Sequence, residues 1–124
     1  MPKKITKNTA KKIVRFVLEK KAGDVSLLDL RKITPMTDFF IVCTGTSNVQ
    51  VKAIADHVLA SCRKDGIEIH NLEGYDSQRW VLIDLIDIVI HIFQPEVRDY
   101  YQLERLWGDA PTDHFEDKAP GVSP

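Results

Sequence analysis

Apolar side chains recur at helical spacing near the start of the chain. Within residues 8–21 they lie mostly three or four positions apart, at Ala10, Ile13, Phe16 and Val17. Lysines occupy much of the opposite face, so the pattern predicts an amphipathic helix. Two short apolar runs follow, residues 25–30 and 39–44, and their length favours strands. The second run is nearly continuous, as expected of a strand that is covered on both faces.

The clearest helical pattern follows a turn that contains glycine. Between residues 51 and 62 the apolar positions again have helical spacing, at Val51, Ile54, Ala55, Val58, Leu59 and Cys62. Ser47 and Gln50 have the spacing of a capping box, in which the two side chains satisfy backbone N–H groups at the helix start. Gly66 is the residue at which this helix is expected to end. We therefore expect a strand, the turn Gly45-Thr46-Ser47 and a helix in succession.

Three further extended segments and one helix are predicted in the second half. Residues 67–75, 80–85 and 88–93 have the short apolar or alternating patterns of strands. Pro95 suits the first turn of a last helix. That helix would end at Gly108, and its apolar face would comprise Tyr100, Leu103, Leu106 and Trp107.

The predicted order of elements, αββαβββα, indicates an α/β (α+β) fold with a mixed five-stranded sheet and flanking helices. The 124 residues suit one domain. We assign residues 1–8 to a flexible basic N-terminus, residues 9–108 to the folded domain and residues 109–124 to a C-terminal tail. The tail is polar and rich in proline, which predicts disorder.

The net charge of −1 conceals two oppositely charged regions. Residues 1–32 hold ten Lys or Arg and three acids, whereas residues 72–117 hold eleven acids and three basic residues. The basic start is typical of a solvated helix face. The acidic region would repel nucleic acid and attract a basic protein.

Other features of the composition point to a soluble, cytoplasmic protein. Cys43 and Cys62 lie within apolar runs and are expected to be buried, reduced thiols. The first residues are charged and lack the apolar stretch of a signal peptide. The longest apolar stretch is interrupted by Asp84, Asp87 and His91, so no membrane span is expected.

The search for a catalytic site yields little. The turn at residues 45–47 could bind phosphate, but it lacks the glycine-rich nucleotide-binding patterns. A nucleotidyltransferase needs paired carboxylates for magnesium, and Asp84 and Asp87 would point to opposite faces of one strand. His91 is interpreted as a structural histidine. We predict no cofactor, no metal and no enzymatic activity, and keep a nucleotide-binding or nucleotidyltransferase-type enzyme that uses the Gly45–Ser47 turn as the alternative.

Aromatic residues among the acids favour a protein-binding surface instead. Trp and Tyr dominate interface hot spots because they bury a large area with few rotamers to order. Trp107 is expected to fasten the last helix to the sheet. For Trp80, a place in the core and a role as an interface anchor are both open.

Several motifs in the same order resemble the ribosomal silencing factor family (RsfS, also called iojap). They are TDFFIVCTGTS at residues 37–47, WVLIDL at 80–85, D-x-V-x-H at 87–91 and YYQLERLW at 100–107. The resemblance covers about residues 10–111. One departure is Ile86, which stands where the family usually has glycine.

The resemblance implies a nucleotidyltransferase-like fold without the catalytic acids, and a partner. The expected partner is the large ribosomal subunit, through its ribosomal protein fourteen, and binding there would block joining of the small subunit and repress translation. The resemblance also implies that the free protein can form a homodimer, and a minor contact of the basic N-terminus with ribosomal RNA is a second interpretation of that segment. The residues expected to contact the partner are Trp80, Asp84, Asp87, Tyr101 and Glu104.

Overall fold

The computed structural model describes residues 7–115, which form helices and the strands of one sheet. In chain order they are α1 (Lys7–Glu19), β1 (Gly23–Asp29), β2 (Phe39–Thr44), α2 (Asn48–Lys64), β3 (Asn71–Glu73), β4 (Trp80–Asp84), β5 (Ile88–Phe93), α3 (Pro95–Tyr101), α4 (Leu103–Leu106) and β6 (Thr112–Phe115). No helix among these residues is long and apolar enough to cross a bilayer.

The six strands form a mixed sheet in the order β3-β4-β5-β2-β1-β6. Only β2 and β5 run parallel, and α2 belongs to the crossover between them; the other neighbouring strands are antiparallel. The mixed α/β class is therefore confirmed. The predicted count of five strands is one too low.

One side of the sheet, here called the inner face, is covered by α1 and α2. The six predicted apolar positions of α2 are buried against alternate residues of the strands. So are the apolar positions of α1, except that Phe16 and Leu18 are only partly buried. Cys43 and Cys62 lie in this core as free thiols. Burial raises the pKa of Cys43 to about 12 and that of Cys62 to about 11, so both remain protonated near neutral pH.

The opposite side, the outer face, is covered only in part. A second buried cluster, Leu28, Leu30, Val42, Phe93, Val97 and Ala110, lies beneath α3, α4 and Trp107. Strand register places Leu28, Phe40, Val89 and Asp84 side by side in one row across β1, β2, β5 and β4. Leu28 is buried, whereas the other three are partly exposed. The cover therefore lies over the β1 side and leaves the β4 side open.

The missing sixth strand lies within the segment predicted to be disordered. Residues 112–115 form β6 and pair with residues 25–28 of β1. Four polar or aromatic residues carry too weak a pattern to indicate a strand, but the unpaired edge of β1 supplies backbone partners for them. The prediction of disorder is wrong for these four residues. Residues 1–6 and 116–124, which belong to the predicted flexible ends, lie outside the described residues.

The last helix is shorter than predicted and is broken at Gln102. Gln102 has a φ of 46°, in the left-handed region, and it separates α3 from α4. The break changes the direction of the chain, so the four predicted apolar positions do not share a face. Leu103 and Trp107 pack on the sheet, whereas Tyr100 is 81% and Leu106 75% exposed.

Ile86 occupies the tight turn between β4 and β5. Its φ is 75°, and the N–H group of Asp87 donates to the carbonyl of Leu85 at 3.0 Å. A φ of this sign combined with a bond between residues two apart is the pattern of a strained γ-turn. A β-branched side chain is unfavourable there, whereas glycine is not. The departure noted in the sequence thus lies where glycine would relieve strain.

Candidate partner-binding face

The less covered half of the outer face carries a group of partly exposed apolar side chains, here called the apolar row. Phe40, Leu82 and Val89 come from three adjacent strands and are only partly buried. Leu82 and Val89 belong to neither buried cluster, whereas Phe40 packs against the outer one, with its ring 5.9 Å from that of Trp107 between centroids. Together with Trp80 and Asp84 of β4, they form what we call the open patch. Partly exposed apolar residues on central strands favour a surface that a partner covers.

Trp80 joins the open patch to the covered half. Its ring lies 4.8 Å from that of Phe93 and 5.0 Å from that of Tyr101, measured between centroids. Its indole N–H donates to Nδ1 of His91 at 3.1 Å. Tyr101 remains 52% exposed. Trp80 is therefore half-buried and oriented by its neighbours, and its role as an interface anchor stays a prediction.

His91 lies beneath Trp80 and is almost completely buried. Burial lowers its pKa to about 4, so the imidazole is neutral near pH 7. Because the indole can only donate, Nδ1 must be the unprotonated nitrogen and Nε2 carries the hydrogen. Nε2 has no hydrogen-bond partner among the described residues. Its neighbours include the Phe40 ring, 4.6 Å away between centroids. This environment fits the predicted structural role.

The two acids of the open side lie on either side of the β4–β5 turn. Asp84 is the last residue of β4 and pairs in register with Val89 on the outer face. Its carboxylate accepts the N–H group of Ile86 at 2.7 Å. Asp87 follows the turn, and its backbone carbonyl accepts from Asp38 and Phe39. The expectation that the two acids lie on opposite faces of one strand is wrong, because the chain reverses between them.

Glu104 has internal partners. Its carboxylate accepts two hydrogen bonds from the Arg98 guanidinium, both at 2.9 Å, and a third from the Ser26 hydroxyl at 3.1 Å. Burial alone would raise its pKa, but the bonds and charge of Arg98, with smaller help from Ser26 and His114, hold the pKa below its usual value. Arg98 also donates to Thr44 and to the carbonyl of Asp24. This network ties α3 and α4 to β1 and β2.

The turn at residues 45–47 is held by hydrogen bonds to Gln50 in the first turn of α2. The N–H group of Thr46 donates to the Gln50 side chain at 2.7 Å, and Ser47 accepts from the Gln50 N–H group at 3.1 Å. The cap is thus present, although Gln50 reaches Thr46 rather than Ser47. A Cβ on Gly45 would lie 2.8 Å from the Val51 side chain, so close helix packing accounts for this glycine. Within residues 7–115, no cluster of three potential metal ligands is found.

Sequence reasoning missed the apolar centre of this surface. Phe40, Leu82 and Val89 were counted simply as strand residues. They alternate with fully buried neighbours such as Ile41, Ile83 and Ile90. The sequence shows the alternation, but nothing in it says which part of the outer face the last helices leave uncovered.

Comparison with known proteins identifies the family. The family model described as "Ribosomal silencing factor during starvation" matches residues 3–123. A ribosomal silencing factor RsfS from Halalkalibacterium halodurans is 50% identical over 103 residues, which cover 83% of this chain and 88% of that protein. The chain belongs to the RsfS family. This RsfS-family member is also similar to a crystal structure from Chromobacterium violaceum, with a TM-score of 0.82, 35% identity and coverage of 97% and 95% of the two chains.

More distant RsfS relatives extend to eukaryotes. The mouse protein named "Mitochondrial assembly of ribosomal large subunit protein 1" is 29% identical over 100 residues, which cover 77% of this chain and 43% of that protein. Family membership confirms the resemblance seen in the motifs, and it assigns this RsfS-family protein to translation regulation in association with the ribosome.

Proposed function

We propose that this protein represses translation in the cytoplasm by binding the large ribosomal subunit through the open patch. The expected partner is ribosomal protein fourteen of that subunit, as the family resemblance implies. The bound protein occupies space that the small subunit needs, so joining is blocked without any chemical reaction. The observation that carries the proposal is the uncovered apolar row bordered by aromatic and acidic residues.

The composition of the open patch supports a protein partner. Phe40, Leu82 and Val89 supply an apolar centre, and Trp80 with Tyr101 supplies aromatic rings already held in place. Such rigid aromatic residues beside an apolar centre are typical of binding hot spots. A preorganised ring has less conformational freedom to lose on binding.

The charge around the patch supports a basic partner. Residues 67–110 contain nine acids and three basic residues. Asp84 lies beside Val89 in register, and Asp87 follows the turn at the end of the same strand pair. Neither acid forms an ion pair among the described residues. They are available to Lys or Arg of a partner and would accelerate association. Glu104 has a different proposed role, because its hydrogen bonds with Arg98 hold α4 beside the patch.

The name of the mouse relative supports the subunit assignment, since it refers to the large ribosomal subunit. The proposed inhibition is steric, because it requires only that the protein occupy a surface used in subunit joining. A homodimer of the free protein would also fit the exposed apolar row, because a second copy can cover it. Ribosome binding would then compete with dimer formation.

The test is co-sedimentation with separated large and small subunits, followed by a subunit-joining assay. The wild-type protein should pellet with large subunits only and reduce the fraction of joined ribosomes. The variant D84N/D87N should bind at least about tenfold more weakly, since each buried or partly buried interfacial charge contributes on the order of 1 kcal/mol or more. The amide oxygen that replaces the carboxylate of Asp84 can still accept the N–H group of Ile86, so the turn is preserved.

The matched control is E68Q/D76N, which removes the same charge from exposed sites outside the open patch. It should bind like the wild-type protein. Equal weakening by both double variants would point to net charge rather than to this surface. Failure of the wild-type protein to pellet with either subunit would refute the proposal.

A further inference from the structure

We propose that the solvent-facing sides of α1 and α2 form a second binding surface, which contacts the phosphate backbone of ribosomal RNA. This surface lies on the inner-face side of the sheet, opposite the open patch. The inference rests on the ribosome association of the family, but not on the identity of the protein partner. It adds a nucleic-acid contact to the protein contact proposed above.

The helical layer is strongly basic. The segments 7–22 and 47–66, which contain α1, α2 and their ends, hold nine Lys or Arg and only three acids. Residues 67–110 have the reverse ratio, nine acids and three basic residues. The basic residues of these segments therefore lie in the layer of α1 and α2, whereas Asp84 and Glu104 lie on the outer-face side of the sheet, although the net charge of the chain is only −1.

The cations of the layer lie close together. Lys7, Lys11 and Arg15 recur every four residues along α1, which places them on successive turns. Lys12 forms an ion pair with Asp65 at the end of α2, with an N–O distance of 3.1 Å. This contact brings the basic end of α2, Arg63 and Lys64, next to α1.

The three acids of the layer cannot neutralise these cations, because each already has a partner. Glu19 bonds to His57 at 2.8 Å, Asp56 bonds to Lys52 at 3.3 Å and Asp65 pairs with Lys12. Among the described residues, no ion pair involves Lys11, Arg15, Arg63 or Lys64. Like charges one helical turn apart oppose helix formation. Binding of an anionic partner would reduce the repulsion between these cations, which favours the complex.

The chemistry of the layer favours RNA over a membrane or a protein. Ala10, Ile13, Val14 and Val17 of α1 are buried in the core, and Phe16 and Leu18 are partly buried against it, so the helix has no free apolar side to insert into lipid. Val49 is the one large apolar residue exposed on the described part of these helices. A protein interface normally has an apolar or aromatic centre, whereas phosphate contacts need only Lys and Arg.

The test measures binding of the full-length protein to protein-free large-subunit ribosomal RNA over a range of salt concentrations. The variant K11Q/R15Q/K64Q should bind more weakly at low salt. The slope of log affinity against log salt should fall in magnitude by about two to three, since each lost phosphate contact removes about 0.7–0.9. The control K32Q/R79Q/R105Q removes the same charge from outside the helical layer and should retain the wild-type slope.

Three outcomes would overturn the proposal: no RNA binding by the wild-type protein, equal loss of slope in both triple variants, or equally strong salt-dependent binding to anionic phospholipid vesicles. Circular dichroism confirms that each variant is folded. Binding to the isolated ribosomal protein is measured in parallel. The helical-layer variant should leave it unchanged, so failure of this inference and failure of the proposed function give different results.

Discussion

The two faces of the sheet are built from the same strands, yet they serve different purposes. On the inner face, every second residue of the central strands is buried beneath two long helices, and most of these residues are aliphatic. On the outer face, two short helices cover only part of the sheet, and the buried residues include His91, Ser26 and Thr44. The inner face stabilises the fold. The outer face keeps an apolar row partly exposed and holds aromatic residues in place beside it.

Adjacent residues of β5 give the sharpest test of this difference. Ile90 is fully buried on the inner face, and Val89 is partly exposed on the outer face. Ile90→Ala should reduce the free energy of unfolding by about 3 kcal/mol, because it leaves a cavity in the core. Val89→Ala should cost less than about 1 kcal/mol in stability but weaken large-subunit binding. Chemical denaturation and co-sedimentation measure the two effects, and similar stability losses in both variants would contradict the comparison.

The buried imidazole of the outer face should make stability depend on pH. In the unfolded chain His91 takes up a proton below its usual pKa of 6.5, whereas burial keeps the native side chain neutral until about pH 4. Protonation therefore favours the unfolded state as the pH falls through this range. The full loss is roughly 3 kcal/mol. Denaturation of wild-type protein and His91→Leu at pH 7 and pH 4.5 should show the smaller pH effect in the variant, and identical pH effects would exclude this role.

The hydrogen bond from Trp80 to His91 should matter for both stability and binding. Trp80→Phe keeps an aromatic ring but leaves the buried Nδ1 of His91 without a donor, which costs about 1–2 kcal/mol. Ribosome binding should also weaken, because the ring loses its fixed orientation. Trp107→Phe is the matched control, since no hydrogen bond from its indole is found within residues 7–115. A larger stability loss in the control would show that packing rather than this bond is decisive.

The smallest effect is expected at the turn that joins the two strands of the open side. Ile86→Gly should raise the free energy of unfolding by about 0.5–1 kcal/mol, because relief of the positive φ exceeds the added entropy of the unfolded chain. Ile86→Ala keeps the unfavourable φ and should change stability little. Thermal unfolding distinguishes the two variants. Destabilisation by glycine would mean that the exposed Ile86 side chain, rather than backbone strain, controls this turn.

Much of the fold could be predicted from local patterns. The stripe of α2, its Ser47 cap and the runs of β2 and β5 each follow from residues close together in sequence, because a helix or strand with one buried face has a fixed period. Strand β6 could not be predicted in this way, since its formation depends on the free edge of β1, more than eighty positions earlier in the chain. The break at Gln102 was also missed, because no glycine or proline marks it.

The candidate site, like the fold, could be predicted only in part from local sequence. The sequence alone determined the amphipathic helices, the buried thiols, the separation of basic and acidic regions and the family motifs, all of which depend on residue type and local spacing. Only the tertiary structure decided that Trp80 is oriented by His91 and Tyr101, that Glu104 pairs with Arg98, and that Phe40, Leu82 and Val89 stay partly exposed. Exposure depends on which elements pack over a strand, and that packing is set by residues distant in the chain.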